Sequence, residues 1–114
     1  QGTNFSAVVD LGKKQKISRV GGNFFQEIRS WIWMPKNLVV YVSNDSKNWK
    51  KVAVLTHNVP TDSYESTAHE MIQSIKPVKA RYVKLEAEYF GKIPDWHLSP
   101  GEESYIFVDE LVVE

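Results

Sequence analysis

Seven stretches of this chain are rich in Val, Ile, Tyr and Phe in partial two-residue alternation, and each meets a turn signal before any helical period can develop. They run over 6–11, 16–25, 36–43, 49–56, 67–75, 81–90 and 105–113. Between them lie Asp10-Leu11-Gly12-Lys13, the cluster Ser43-Asn44-Asp45-Ser46, a loop containing Pro60, and Lys76-Pro77. Asp, Asn and Ser side chains bond their own backbone in turns, and Pro withholds the N–H that a ladder needs. Short strands at this spacing predict an all-β, antiparallel sandwich.

Size and composition then narrow what such a sandwich can do. At 114 residues the chain is expected to form one domain with one core, too short for an eight-stranded catalytic barrel of roughly 250 residues. Fourteen Lys and Arg balance fourteen Asp and Glu, interspersed along the sequence, so nucleic acid and anionic membrane are not expected partners. The absence of cysteine excludes disulfides, a thiolate nucleophile and a thiolate zinc site. No apolar run approaches 18 residues, so membrane insertion is not expected, and a monomer is. The opening at Gln1, with Val8, Val9 and Leu11 already strand-like, reads as an excerpt from a larger protein.

Catalysis finds no foothold. There is no G-x-S-x-G elbow, phosphate-binding glycine loop or H-E-x-x-H, and His57, His69 and His97 lie far apart in sequence. Glycosidases need two carboxyls facing one another across a cleft, about 5 to 9.5 Å apart, an enclosure that a flat sandwich end is not expected to give acidic neighbours such as Glu102 and Glu103.

If consecutive strands reverse direction, alternate connections share an end. The N-terminal stretch 1–5, the segment around Trp31 and Trp33, the loop 56–66 and the segment around Trp96 then fall together, with tight turns at the opposite end. Long loops at one end of a sandwich are where binding residues sit. A pyranose packs its C–H face on an aromatic ring, and its hydroxyls need fixed polar partners. Trp31, Trp33, Trp96 and Tyr105 are candidate platforms; Gln26, Glu27, Arg29, Asp95, His97, Glu102 and Glu103 are candidate partners. Trp31 and Trp33 share a side if the segment is extended, and one indole is expected to enter the core. Trp96 reads equally as a sugar platform or a loop anchor, Trp49 as strand packing, and Arg81 as half of a structural ion pair.

Ala7-Val8-Val9-Asp10-Leu11-Gly12, Ile17-Ser18-Arg19-Val20-Gly21, Val42-Ser43-Asn44-Asp45-Ser46-Lys47-Asn48-Trp49, Ala80-Arg81-Tyr82-Val83-Lys84-Leu85 and Asp109-Glu110-Leu111 resemble successive strands of the discoidin-like, coagulation-factor 5/8 type C fold. Ser30-Trp31-Ile32-Trp33-Met34-Pro35 and Pro94-Asp95-Trp96-His97 are similar to the C-terminal module of bacterial chitobiase-like beta-hexosaminidases. The resemblance implies a jelly-roll, galactose-binding-domain-like sandwich, lacking here the usual segment before its Asp-Leu-Gly strand. It implies a non-catalytic carbohydrate-binding module beside the catalytic domain of the same polypeptide, in an exported protein at the periplasm or cell surface of a bacterium. The ligand implied is a glycan of the amino-sugar or galactose type, bound through Trp96, His97, Asp95, Arg29, Trp31, Trp33 and Tyr105. No cofactor is required, and a structural calcium in this family would place a ligand at Glu110. The alternative is a structural or protein-interaction module of the parent hydrolase, without a sugar site.

Overall fold

The computed structural model describes all residues except 1, 3, 58, 63–66, 95, 96, 98–100 and 103, and describes only the backbone of Thr67, Phe107 and Asp109. Asp95, Trp96 and Glu103 therefore lie outside the described residues. Five strands are formed: β1 (Phe5–Gln26), β2 (Asn37–Ser43), β3 (Lys50–Leu55), β4 (Thr67–Glu88) and β5 (Phe107–Val113). They hydrogen-bond in the order β3-β2-β4-β1-β5, every pair antiparallel, and no α-helix occurs among the described residues.

Seven expected strands become five because two of the expected turns do not end pairing. β1 continues through Gly12 and β4 continues through Pro77, and the two pair from Phe5 opposite Ala87 to Gln26 opposite Thr67. The register breaks between Asp10 and Gln15 and again between Ile17 and Arg19, so each expected turn is absorbed as a bulge. Gly12 takes φ 82°, which a side chain would resist, and its N–H donates to the Asp10 carboxylate at 2.8 Å. Arg81 then clamps Asp10 with two bonds, Nε to Oδ1 at 2.9 Å and Nη2 to Oδ2 at 3.1 Å. The Arg81 side-chain bond, followed by the Gly12 N–H, holds the Asp10 carboxyl below its ordinary range.

A straight 22-residue strand would reach about 70 Å, whereas the longest dimension of the molecule is 48 Å. The ribbon must fold, and the core shows how. Ile17, Val20 and Phe24 from the later half of β1 and Met71 from the earlier half of β4 share one buried cluster with Leu38, Val40 and Val42 of β2 and Val83, Leu85 and Ala87 of β4. Bent at its bulges, the β1–β4 ribbon thus contributes to both layers of a jelly-roll sandwich. Alternation does the rest: Leu38, Val40 and Val42 face inward while Val39 and Tyr41 between them are only half-buried.

Gly21 is the tightest point of the ribbon. A Cβ there would lie 1.9 Å from the Met71 carbonyl oxygen, and φ is 153°. Backbone cannot yield as a flexible side chain can. Gly21→Ala is expected to lower stability by about 3 kcal/mol or more, or to prevent folding, measurable by urea denaturation.

Candidate functional site

The residues after β1 make a compact reversal. Glu27 and Ile32 exchange two backbone hydrogen bonds, at 2.9 and 3.0 Å, around a single 3₁₀ turn, Ile28–Ser30. The Glu27 carboxylate accepts from the Arg29 N–H at 3.1 Å and caps that turn. Trp31 closes it in the left-handed region, φ 66° and ψ 25°, a conformation that costs a non-glycine residue about 1 kcal/mol or more. The expected extended parity of 31–34 is broken there: Trp33 and Met34 are both fully buried, while Trp31 is half-buried.

Trp33 is a structural plug. It is 0% exposed, its indole N–H donates to the Thr61 carbonyl at 2.8 Å, and its ring stacks on Phe90 with centroids 5.1 Å apart. His97 meets it edge-on at 5.6 Å, is buried, and places Nε2 2.7 Å from the Ile28 carbonyl. Both rings, named in the sequence as candidate binding residues, are here buried and engaged in packing and in bonds to backbone carbonyls. Gln26 is placed likewise. Its buried side chain donates to the Pro60 carbonyl at 2.8 Å and accepts from the Met34 N–H at 3.3 Å, satisfying backbone that would otherwise be stranded.

These bonds, with three others, bring the four expected segments to one end. Gly2 N–H donates to Ser104 O, Tyr89 N–H to Asn4 Oδ1, and Tyr105 N–H to Trp31 O at 2.7 Å. Ser104 is fully buried and its hydroxyl donates to Gly91 O at 2.6 Å. Strand-like alternation then turns the next residue outward. Tyr105 is 40% exposed, with its backbone gripped from both sides, since its carbonyl also accepts from Trp33 N–H at 3.2 Å.

Beside Tyr105 opens a pocket of about 240 Å³ lined by Ser30, Ile32, Tyr105 and Ile106. Arg29 is exposed on the adjoining 3₁₀ turn. Ser30, Ile32 and Ile106 were not among the expected site residues. The available signal was Ile32 itself, an aliphatic residue between two tryptophans that turns away from the side Trp33 takes. A second hollow, about 310 Å³, crosses the start of β1, the start of β2 and the end of β4, where Asn37 donates to Glu88 at 3.1 Å.

Glu110 is exposed on β5, four residues beyond Ile106, and paired with Asn23 of β1. The Asn23 Oδ1 atom is buried without a hydrogen-bond partner. One carboxylate and one amide oxygen fall short of the six to eight oxygens that calcium takes, and no group of three His, Asp or Glu among the described residues supplies more. These residues by themselves do not fit a calcium site.

The loop 56–62 is latched from the other side. Val59 N–H donates to His57 Nδ1 at 3.0 Å, so Nε2 carries the proton and donates to the Pro35 carbonyl at 2.9 Å. Burial holds the His57 ring below its ordinary value of 6.5, outweighing the Pro35 bond that favours protonation.

A jelly-roll sandwich whose loops gather around one aromatic pocket is a galactose-binding-like architecture, and sequence and structure comparisons agree. The model of the NedA-like, galactose-binding domain family, of the F5/8 type C group, matches residues 1–85, and the chain belongs to that family. It is a carbohydrate-binding-module-like domain. Chitosan-binding module 1 from a Paenibacillus sp. IK-5 chitosanase/glucanase aligns with 96% of this chain and 69% of its own, at 19% identity and a TM-score of 0.55. A labelled variant of that module aligns with 76% and 57%, at 20% identity and 0.53. A pectin-binding carbohydrate-binding module aligns with 97% and 70%, at 16% identity and 0.51. A fragment of a Bacteroides thetaiotaomicron protein designated a chitobiase aligns with 97% and 63%, at 17% identity and 0.50. The chain thus spans between 57 and 70% of the length of these structures. Comparison with curated proteins finds no match.

Two outcomes follow from the burial of these rings. Trp33→Ala, which removes a fully buried indole and its bond to Thr61, is expected to cost about 3–5 kcal/mol in urea denaturation. His57, more weakly basic folded than unfolded, contributes stability that is complete above pH 6.5 and is lost as pH falls through its lower folded value. The melting temperature is therefore expected to fall as pH drops below about 6.5, and less steeply in His57→Gln.

Proposed function

We propose that this chain is a non-catalytic carbohydrate-binding module that holds an attached glycoside hydrolase, of the chitobiase type, on glycans of the amino-sugar or galactose class. The observation that carries the reading is the Tyr105 pocket. Among the candidate platforms described, Trp33 is sealed in the core and Trp31 is half-buried, whereas Tyr105 is exposed beside a hexose-sized hollow. A pyranose seated there would rest its C–H face on the phenol ring and Ile32, with the Ser30 hydroxyl in the wall to meet one of its hydroxyls and the exposed Arg29 on the adjoining turn as a further partner at the rim.

The reading is supported by the family match and by three kinds of neighbour whose names carry chitosan, pectin or chitobiase. A pocket walled by four residues offers few hydrogen bonds and one ring, which corresponds to a weak affinity of about 0.1 to 1 mM. The module works as a monomer without a cofactor, in an exported bacterial protein, and the chemistry belongs to its neighbour.

Titration with N-acetylglucosamine, glucosamine and galactose, followed by amide and indole NMR shifts, tests this directly. Shifts are expected at Ser30, Ile32 and Ile106, saturating in the millimolar range. Tyr105→Ala is expected to abolish them while costing no more than about 1–2 kcal/mol of unfolding free energy, so that the variant stays folded. Unperturbed spectra across the panel would instead favour a module that only packs on its parent enzyme.

A further inference from the structure

The charges that alternate along the sequence are separated by the fold. The bulged bend of the β1–β4 ribbon, at the end of the molecule away from the loops, carries Lys13, Lys14 and Lys16 on β1, with Lys76 and Lys79 on β4, all exposed. Lys16 stands directly opposite Lys79 in the ladder. Like charges so placed are destabilising, so this end holds its lysines at a cost. None of these five lysines makes an ion pair among the described residues.

Lys50 and Lys51 reach the same end from β3. With Val52, Lys76, Pro77 and Val78 they line a groove of about 300 Å³. The groove runs between two unpaired edges: β3 is the outermost strand of the sheet, and β4 gains β2 as a partner only from Tyr82 onward.

The acids nearest this end are already committed. Asp10 is clamped by Arg81, and Glu114 reaches Arg19 at 3.4 Å. Asp45 accepts from the N–H groups of Lys47 and Asn48, from the Asn48 side-chain amide and from the Ser43 hydroxyl. Those bonds, the Asn48 N–H first, hold its carboxyl far below the ordinary range. The lysines are left uncompensated.

We infer that this groove is a second binding site, separate from the Tyr105 pocket, for an anionic polysaccharide bearing carboxylates. Lysine ammonium groups serve as point charges for successive carboxylates, and Val52, Pro77 and Val78 offer apolar surface for pyranose C–H faces. A nucleic acid is disfavoured because the groove has no aromatic lining residue on which bases could stack. The nearby Trp49 indole is already covered by the Lys84 ammonium at 4.6 Å.

Affinity electrophoresis and calorimetry of the 114-residue chain with polygalacturonate, and with its fully methyl-esterified form as the neutral control, test the site. Binding to the polyanion alone is expected, weakening at least about tenfold when salt is raised severalfold, since each neutralised charge releases a counterion. Lys50→Glu with Lys76→Glu is expected to weaken it at least about tenfold more, and Tyr105→Ala is expected to leave it unchanged. Lys50→Gln with Lys76→Gln serves if charge reversal prevents folding. Equal binding of the methyl ester, insensitivity to salt, or tighter binding of single-stranded DNA or phosphatidylserine vesicles would each overturn the assignment. So would an absence of binding, or a double variant that keeps its affinity. Self-association of the variants without loss of a ligand would show that the lysines serve only to guard exposed strand edges.

Discussion

The pairing of β1 with β4 along nearly their full length is the constraint on which everything else rests. These two 22-residue strands supply the centre of the sheet, and β2, β3 and β5 all attach to them directly or through one neighbour. Because the ribbon bends at its bulges instead of breaking, its two ends are returned to the same end of the molecule. A continuous ladder is also unforgiving. Shifting it by one residue would exchange inward Val83, Leu85 and Ala87 for outward Lys84 and Glu86, so the core specifies the register that the bulges then fold.

The loop end has a different construction. Three segments with little regular pairing of their own meet over Trp33, whose fully buried indole acts as a plug. Around it, backbone groups that strands cannot serve are satisfied by side chains: Gln26, His57, His97 and Ser104 each bond a carbonyl of a neighbouring segment. Two of these four, Gln26 and His97, are polar residues that look like ligand contacts in the sequence and here serve as the mortar of the loops. The lysine-rich opposite end reverses the pattern, with acids consumed locally and cations left facing solvent.

Much of the architecture was legible in the chain, for reasons that can be named. Alternation in 36–43 and 81–90 marks half-buried strands, Ser43-Asn44-Asp45-Ser46 behaves as the turn its side chains suggest, and Arg81 makes its ion pair. Convergence of the long loops followed from direction reversal, and it survives although two reversals turn out to be bends within a strand. Gly12 and Pro77 were misleading because a bulge uses the same residues as a turn, and only the partner strand distinguishes them. The inward placement of Trp33 depends on the left-handed backbone at Trp31, which nothing in a tryptophan advertises. His97 and Gln26 turn inward to serve carbonyls distant in sequence. Segregation of the lysines is likewise a property of the folded ribbon, invisible in a balanced count.

Tyr105 has its main chain held by two backbone bonds, to Trp31 and Trp33, and by the buried Ser104 before it. The same is true of Ile32, whose place in the pocket comes from its exchange with Glu27. A wall positioned by main chain can change its residues without disturbing the frame that carries it. Such a domain can acquire a new ligand by a few substitutions at the mouth of the pocket, and a common scaffold can diverge in what it binds while its core stays the same.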